Sequence, residues 1–138
     1  ARRLGQSRAV PRRTAIDSLH RTMDDNLLRV HRAGIPIAMG TDAGNPLTLH
    51  GPAIHAEMEA MQRAGMRPMD IIVAATRNGA RAMGREGEFG TIEPGKLADL
   101  LLVAADPTRD IANLRRVTWV VRGGVARSLV EMQAAIRR

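Results

Sequence analysis

Asp42 is the residue of this sequence best placed to do chemistry. It lies in the stretch MGTDAGNP (39–46), directly after the apolar run Ile35-Pro36-Ile37-Ala38-Met39 and ahead of a helical pattern. In parallel α/β folds, functional side chains gather at the carboxyl ends of strands, because the loops there converge on one face. Gly40, Ala43 and Gly44 are small enough to let a ligand or a second backbone approach. A carboxylate at such a point can bind a divalent metal, or take a proton from a metal-bound water. A turn aspartate capping backbone amides fits the same residues, and spacing alone favours that plainer reading.

Partners for Asp42 are scarce. His50 follows it within the loop and could reach a substrate pocket; loops are where binding residues concentrate. His20 and His31 fall about three turns apart on one helix, too far to share an ion, and read as surface or helix-end histidines. His55, Glu57 and Glu59 do not form the HExxH pattern of a zinc protease. Asp99, inside LADLLLV (97–103), reads as a structural hydrogen-bonding residue. There is no serine nucleophile elbow and no phosphate-binding glycine loop. The chain has no cysteine, which excludes disulfides, iron–sulfur clusters and cysteine-type zinc sites.

Composition narrows the function classes further. Hydrophobic residues make up 44% and aromatic residues 1%, so the core must be aliphatic and methionine-rich. The formal charge is +7, with Lys96 the only lysine. A basic chain can grip phosphates, but these arginines form no compact face and there are almost no aromatics to stack on bases. Nucleic-acid binding is therefore disfavoured. No apolar run approaches the ~20 residues of a membrane span, and the arginine-rich start has no signal-peptide core. A cytoplasmic protein is expected.

The elements that must position Asp42 are legible from periodicity. Residues 1–13 read as a basic loop. Thr14 is a candidate N-cap for a helix whose stripe is Ile16, Leu19, Met23, Leu27 and Val30, with Gly34 ending it. Residues 35–39 read as a strand covered on both faces, with Pro36 near its start. Gly51-Pro52 opens a helix running to about Gly65, and Pro68 opens another, interrupted at Gly79. From Gly87 the texture turns to strands: LADLLLV (97–103) as a buried strand, then RVTWVV (116–121), a Gly123-Gly124 turn and VARSLV (125–130). Gly95 is expected at positive φ in a Pro-Gly turn. The boundary between an α/β part (1–88) and a β part (89–138) is expected near residue 88.

Two stretches together carry a resemblance. GIPIAMGTDAG (34–44) and GTIEPGKLADLLLV (90–103), in this order, resemble the C-terminal part of the metal-dependent amidohydrolase superfamily, in the branch of imidazolonepropionase and the prolidase-like enzymes. HGPAIHAEMEAMQRAGMRPMDIIVAATRNGARAMG between them and VTWVVRGG after them fit as well, so the resemblance spans roughly 14–127. It implies an α/β fold: the last strand and flanking helices of a (β/α)₈ barrel, plus part of a small β-sandwich. It also implies one or two zinc ions, held by a His-x-His pair, often a carboxylated lysine, two later histidines and an aspartate on the eighth strand. Asp42 matches that aspartate, as metal ligand and as general base. The other ligands have no counterparts here, and Lys96 lies in the wrong place to be the bridging lysine.

The expected activity is thus hydrolysis of an amide, cyclic amide or dipeptide C–N bond. It would require the missing N-terminal barrel portion or a second polypeptide, and the chain alone is expected to be inactive. The alternative is a non-catalytic interaction module that self-associates as a homo-oligomer through its exposed strands.

Overall fold

The computed structural model describes residues 12–46 and 48–136. Of the basic loop expected at 1–13, residues 1–11 lie outside the described residues, and residues 12–13 are helical instead. Helix α1 spans Arg12–Arg32, so Thr14 sits inside its first turn and is not its N-cap. The helix stops at Gly34, whose φ of 73° turns the chain left-handed. Gly34 N–H then bonds His31 O, and Ile35 N–H bonds Val30 O. Helix α2, Pro52–Ala64, ends the same way at Gly65 (φ 109°), with Gly65 N–H on Gln62 O and Met66 N–H on Met61 O. Both are Schellman stops that only a residue without a Cβ adopts cheaply.

Helix α3 spans Pro68–Ala75 and α4 spans Arg77–Ala82. The break falls at Thr76, not at Gly79. The Thr76 hydroxyl donates to Ile72 O at 2.7 Å, so a side chain competes with the ladder at that point. Gly79 lies within α4.

Ile71, Met58, Met61, Met66, Ala74 and Ile111 form the buried core, flanked by Leu27, Leu28, Ile37, Met39, Ile72 and Leu114. It is an aliphatic and methionine core, as the composition requires. Ile111 comes from a short 3₁₀ helix, Ile111–Arg115, which brings the C-terminal part of the chain onto α2. Gln62 accepts from Ile111 N–H at 2.7 Å, and Glu59 bonds Arg115 at 2.5 Å.

The segment 35–41 is extended but unpaired, and in this it departs from the strand expected there. Ile37 and Met39 pack on the core. Met39 N–H bonds Ala74 O, and Ile37 O accepts from Asn78 Nδ2. The N–H groups of Ile37, Ala38, Gly40 and Thr41 have no partner among the described residues. A strand covered on both faces needs neighbouring strands, and none of the three strands of this chain lies beside it.

Those strands are β1 (Leu100–Val103), β2 (Val117–Arg122) and β3 (Val125–Ser128), antiparallel in that order. Leu101 faces Val120, which faces Arg127. Gly123 and Gly124 make the hairpin turn with φ of 56° and 82°, the positive pair a tight two-residue turn demands. Asp99 accepts from Gly123 N–H at 2.7 Å and so pins that turn, the structural role expected of it. Gly95 has the expected positive φ of 87°.

Two further expectations are corrected here. β1 is not buried: Leu101 is 58% and Leu102 46% exposed, because the described residues form one sheet where a sandwich needs two. The last strand ends at Ser128, and Leu129–Ile136 is helix α5. A capping box starts it, with Glu131 N–H on Ser128 Oγ and Ser128 N–H on the Glu131 carboxylate. No helix among the described residues is long and apolar enough to cross a membrane.

Candidate active-site loop

Asp42 ends the extended segment and begins a tight loop. Its φ of 50° is the only positive value at a non-glycine among the described residues. Left-handed backbone is tolerated best by Asp and Asn, whose short polar side chains bond locally. Asn45 supplies those bonds. Its Nδ2 donates to Asp42 Oδ2 at 2.5 Å and to Asp42 O at 3.2 Å, and its N–H approaches the same carbonyl at 3.4 Å. Thr48 N–H donates to Asn45 O at 3.0 Å, and Gly44 N–H to Thr48 O at 3.0 Å, which closes the loop on itself. Asp42 Oδ1 has no partner among the described residues.

His50 stands over this loop. A Cβ built on Gly44 would lie 3.5 Å from His50 Nε2, ordinary van der Waals contact, so the imidazole stands directly beside Gly44. The structure thus brings Asp42 and His50 into one loop cluster, both exposed. A recess of about 380 Å³ adjoins it, lined by Thr41, Thr48, Leu49, Pro52, Ala53 and Glu57. A larger hollow of about 690 Å³ opens at the far end of the extended segment, beside His31, Ile35, Asp70, Arg77 and Arg81. Asp42 lines neither. The smaller recess borders the loop, sharing Thr41 and Thr48 with it.

The other histidines stay apart from Asp42. His31 Nε2 is 3.4 Å from Asp70, whose carboxyl the Arg67 guanidinium holds below its usual range. His55 lies in the first turns of α2, and its Nδ1 is enclosed without a partner. Among the described residues, no three His, Asp or Glu side chains come close enough to hold a metal ion. Asp42 fits as one oxygen ligand, exposed and with a free oxygen, but it does not make a site alone. Asn45 went unnoticed in the sequence, although an Asp-x-x-Asn spacing around a glycine is a readable turn signal.

The amidohydrolase family matches residues 3–126. The chain belongs to that family. Among its amidohydrolase relatives, the imidazolonepropionase of Chloroflexus aggregans is 40% identical over 78 residues, covering 56% of this chain and 18% of the relative. The 5-methylthioadenosine/S-adenosylhomocysteine deaminase of Moorella thermoacetica is 41% identical over 78 residues, covering 51% of this chain and 18% of the relative. A crystal structure of a Xaa-Pro dipeptidase with bound methionine in its active site superposes with a TM-score of 0.69 at 36% identity, covering 76% of this chain and 25% of that one. This amidohydrolase chain therefore spans about a fifth to a quarter of the length of the relatives it matches.

Proposed function

We propose that this chain is the C-terminal part of a metal-dependent amidohydrolase that hydrolyses an amide or cyclic-amide C–N bond with an activated water. In this reading residues 1–88 contribute the last strand (35–39) and flanking helices of a (β/α)₈ barrel, and residues 89–138 contribute part of a small β-sandwich. The observation that carries it is the position of Asp42: a carboxylate with one free oxygen, at the end of an extended segment, within a family match that covers most of the chain. The unpaired amides of that segment support it too, since a barrel strand has a neighbour on each side.

A centre of one or two zinc ions would take Asp42 as one ligand, with the remaining ligands supplied by the preceding barrel portion or a second polypeptide. A bound zinc lowers the pKa of its water towards ~7. Asp42 then accepts a proton from the attacking water as its oxygen adds to the carbonyl carbon. It returns that proton to the leaving nitrogen as the C–N bond breaks. His50, seated over Gly44, contacts the substrate. The substrate is a small cyclic amide or a dipeptide.

The test uses the complete protein that carries this chain. Hydrolysis of a cyclic amide and of an Xaa-Pro dipeptide is followed before and after chelation, with metal content read by mass spectrometry. Chelation and Asp42→Asn should each abolish turnover, the latter by ~10²–10⁴-fold. Full activity of Asp42→Asn, or of the 138-residue chain alone, would sink the reading.

A second reading, a self-associating module, has one observation in its favour. The open segment 35–41 and the exposed Ile16, Leu19 and Met23 of α1 leave apolar surface without cover. A metal-free oligomer of this chain in native mass spectrometry, with no hydrolase activity in the complete protein, would favour it.

A further inference from the structure

We infer that Asn45 is a positioning residue for Asp42: its side-chain amide clamps Oδ2 and leaves Oδ1 as the working oxygen. The inference rests on the reading of Asp42 given above, and it concerns a residue that this reading does not use.

Three features of the loop carry it. The amide of Asn45 bonds Asp42 at both the carboxylate and the main-chain carbonyl, 2.5 Å from Oδ2 and 3.2 Å from O. One side chain thereby fixes the rotamer of Asp42 and its left-handed backbone together. Asn45 is itself anchored, because Thr48 N–H holds its carbonyl at 3.0 Å. The clamp is also neutral. No Lys, Arg or His among the described residues pairs with Asp42. An amide orients a carboxylate without cancelling its charge, whereas a guanidinium in the same place would compete with any cation. Groups that hydrogen-bond a ligating carboxylate typically govern metal affinity by ~10–100-fold.

A plain turn role makes a different forecast. Aspartate forms such turns as well as asparagine does, but ionised it has no proton to donate. Asn45→Asp therefore keeps a turn-forming side chain but removes both donor bonds to Asp42, while Asn45→Ala removes the side chain itself. In the complete protein, zinc affinity of the metal-depleted form is measured by competition with a chromophoric chelator, alongside kcat, KM and the thermal midpoint. The expected result is a ~10–100-fold loss of zinc affinity in both variants, with kcat falling and KM little changed. Asn45→Ala adds no charge, so a loss shared by both variants is not like-charge repulsion between residues 42 and 45.

Zinc affinity and kcat within twofold of the parent in Asn45→Asp would overturn the inference, even if Asn45→Ala lowers the thermal midpoint. Asp42→Asn, run in parallel, separates the two levels. If it keeps both metal and activity, the reading of Asp42 fails and takes the positioning role with it. If it loses them while both Asn45 variants are unchanged, only the positioning role fails.

Discussion

Gln62 and Ile111, 49 positions apart, are joined by a 2.7 Å hydrogen bond from the Ile111 N–H to the Gln62 side-chain carbonyl. The donor belongs to a residue only 2% exposed, and Gln62 is its partner in place of water. Gln62→Ala should cost about 1–3 kcal/mol through the unsatisfied buried amide. Ile111→Ala should cost about 2–5 kcal/mol by emptying part of the core. Denaturant unfolding of the complete protein measures both. Losses under 0.5 kcal/mol would mean that this contact does not hold the C-terminal part onto α2.

Gly90 predicts a second weak point. A Cβ there would sit 2.7 Å from Ala80 Cβ and 3.1 Å from Thr76 O, on a backbone of φ +99°. Gly90→Ala should cost ~1–3 kcal/mol from crowding and a further ~1–2 kcal/mol from the left-handed backbone. Its urea midpoint should fall well below that of a Gly87→Ala control, where no atom lies within 4 Å.

The Glu59–Arg115 pair predicts a pH dependence. The hydrogen bond from Arg115 holds the Glu59 carboxyl below its ordinary value of 4.5. A depressed folded-state pKa stabilises the protein above the unfolded value, and that contribution disappears as pH falls through the folded value. Arg115→Gln should therefore lower the thermal midpoint at pH 7, with the difference from the parent closing below pH 4.5. A gap that stayed constant down to pH 2 would assign the loss to packing of the arginine stem instead.

His50→Ala is expected to raise KM by roughly tenfold in the complete protein, with kcat and zinc affinity largely kept. That split follows from the proposed role of His50, contact with substrate and not with metal. A fall in kcat at constant KM would move His50 into the chemical step.

Much of this was legible in the sequence where short-range rules decide. Gly34 and Gly65 stop their helices because no Cβ fits the left-handed cap, and Pro52 and Pro68 start theirs. The Gly123-Gly124 hairpin follows from the same backbone logic. Long-range facts were not legible. Residues 35–39 have the composition of a buried strand, but their pairing depends on strands that do not lie beside them here. The break at Thr76 depends on a hydroxyl choosing the Ile72 carbonyl, which periodicity does not register. Helix α5 was missed although Ser128 and Glu131 have capping-box spacing, because the apolar Leu129-Val130 continue the β pattern. At the loop, Asp42 stood out by type and place, whereas Asn45 acts only through a geometry the fold creates.

The single bonded amide of Met39, set between unbonded neighbours, makes 35–41 a built-in reporter. Met39 N–H is tied to Ala74 O, while the N–H groups of Ala38 and Gly40 on either side have no partner among the described residues. In deuterated water the chain alone should exchange Ile37, Ala38, Gly40 and Thr41 quickly and Met39 slowly, one protected amide among open ones. Once neighbouring strands close over the segment, the contrast should level out. Assembly can then be timed amide by amide, without substrate or metal.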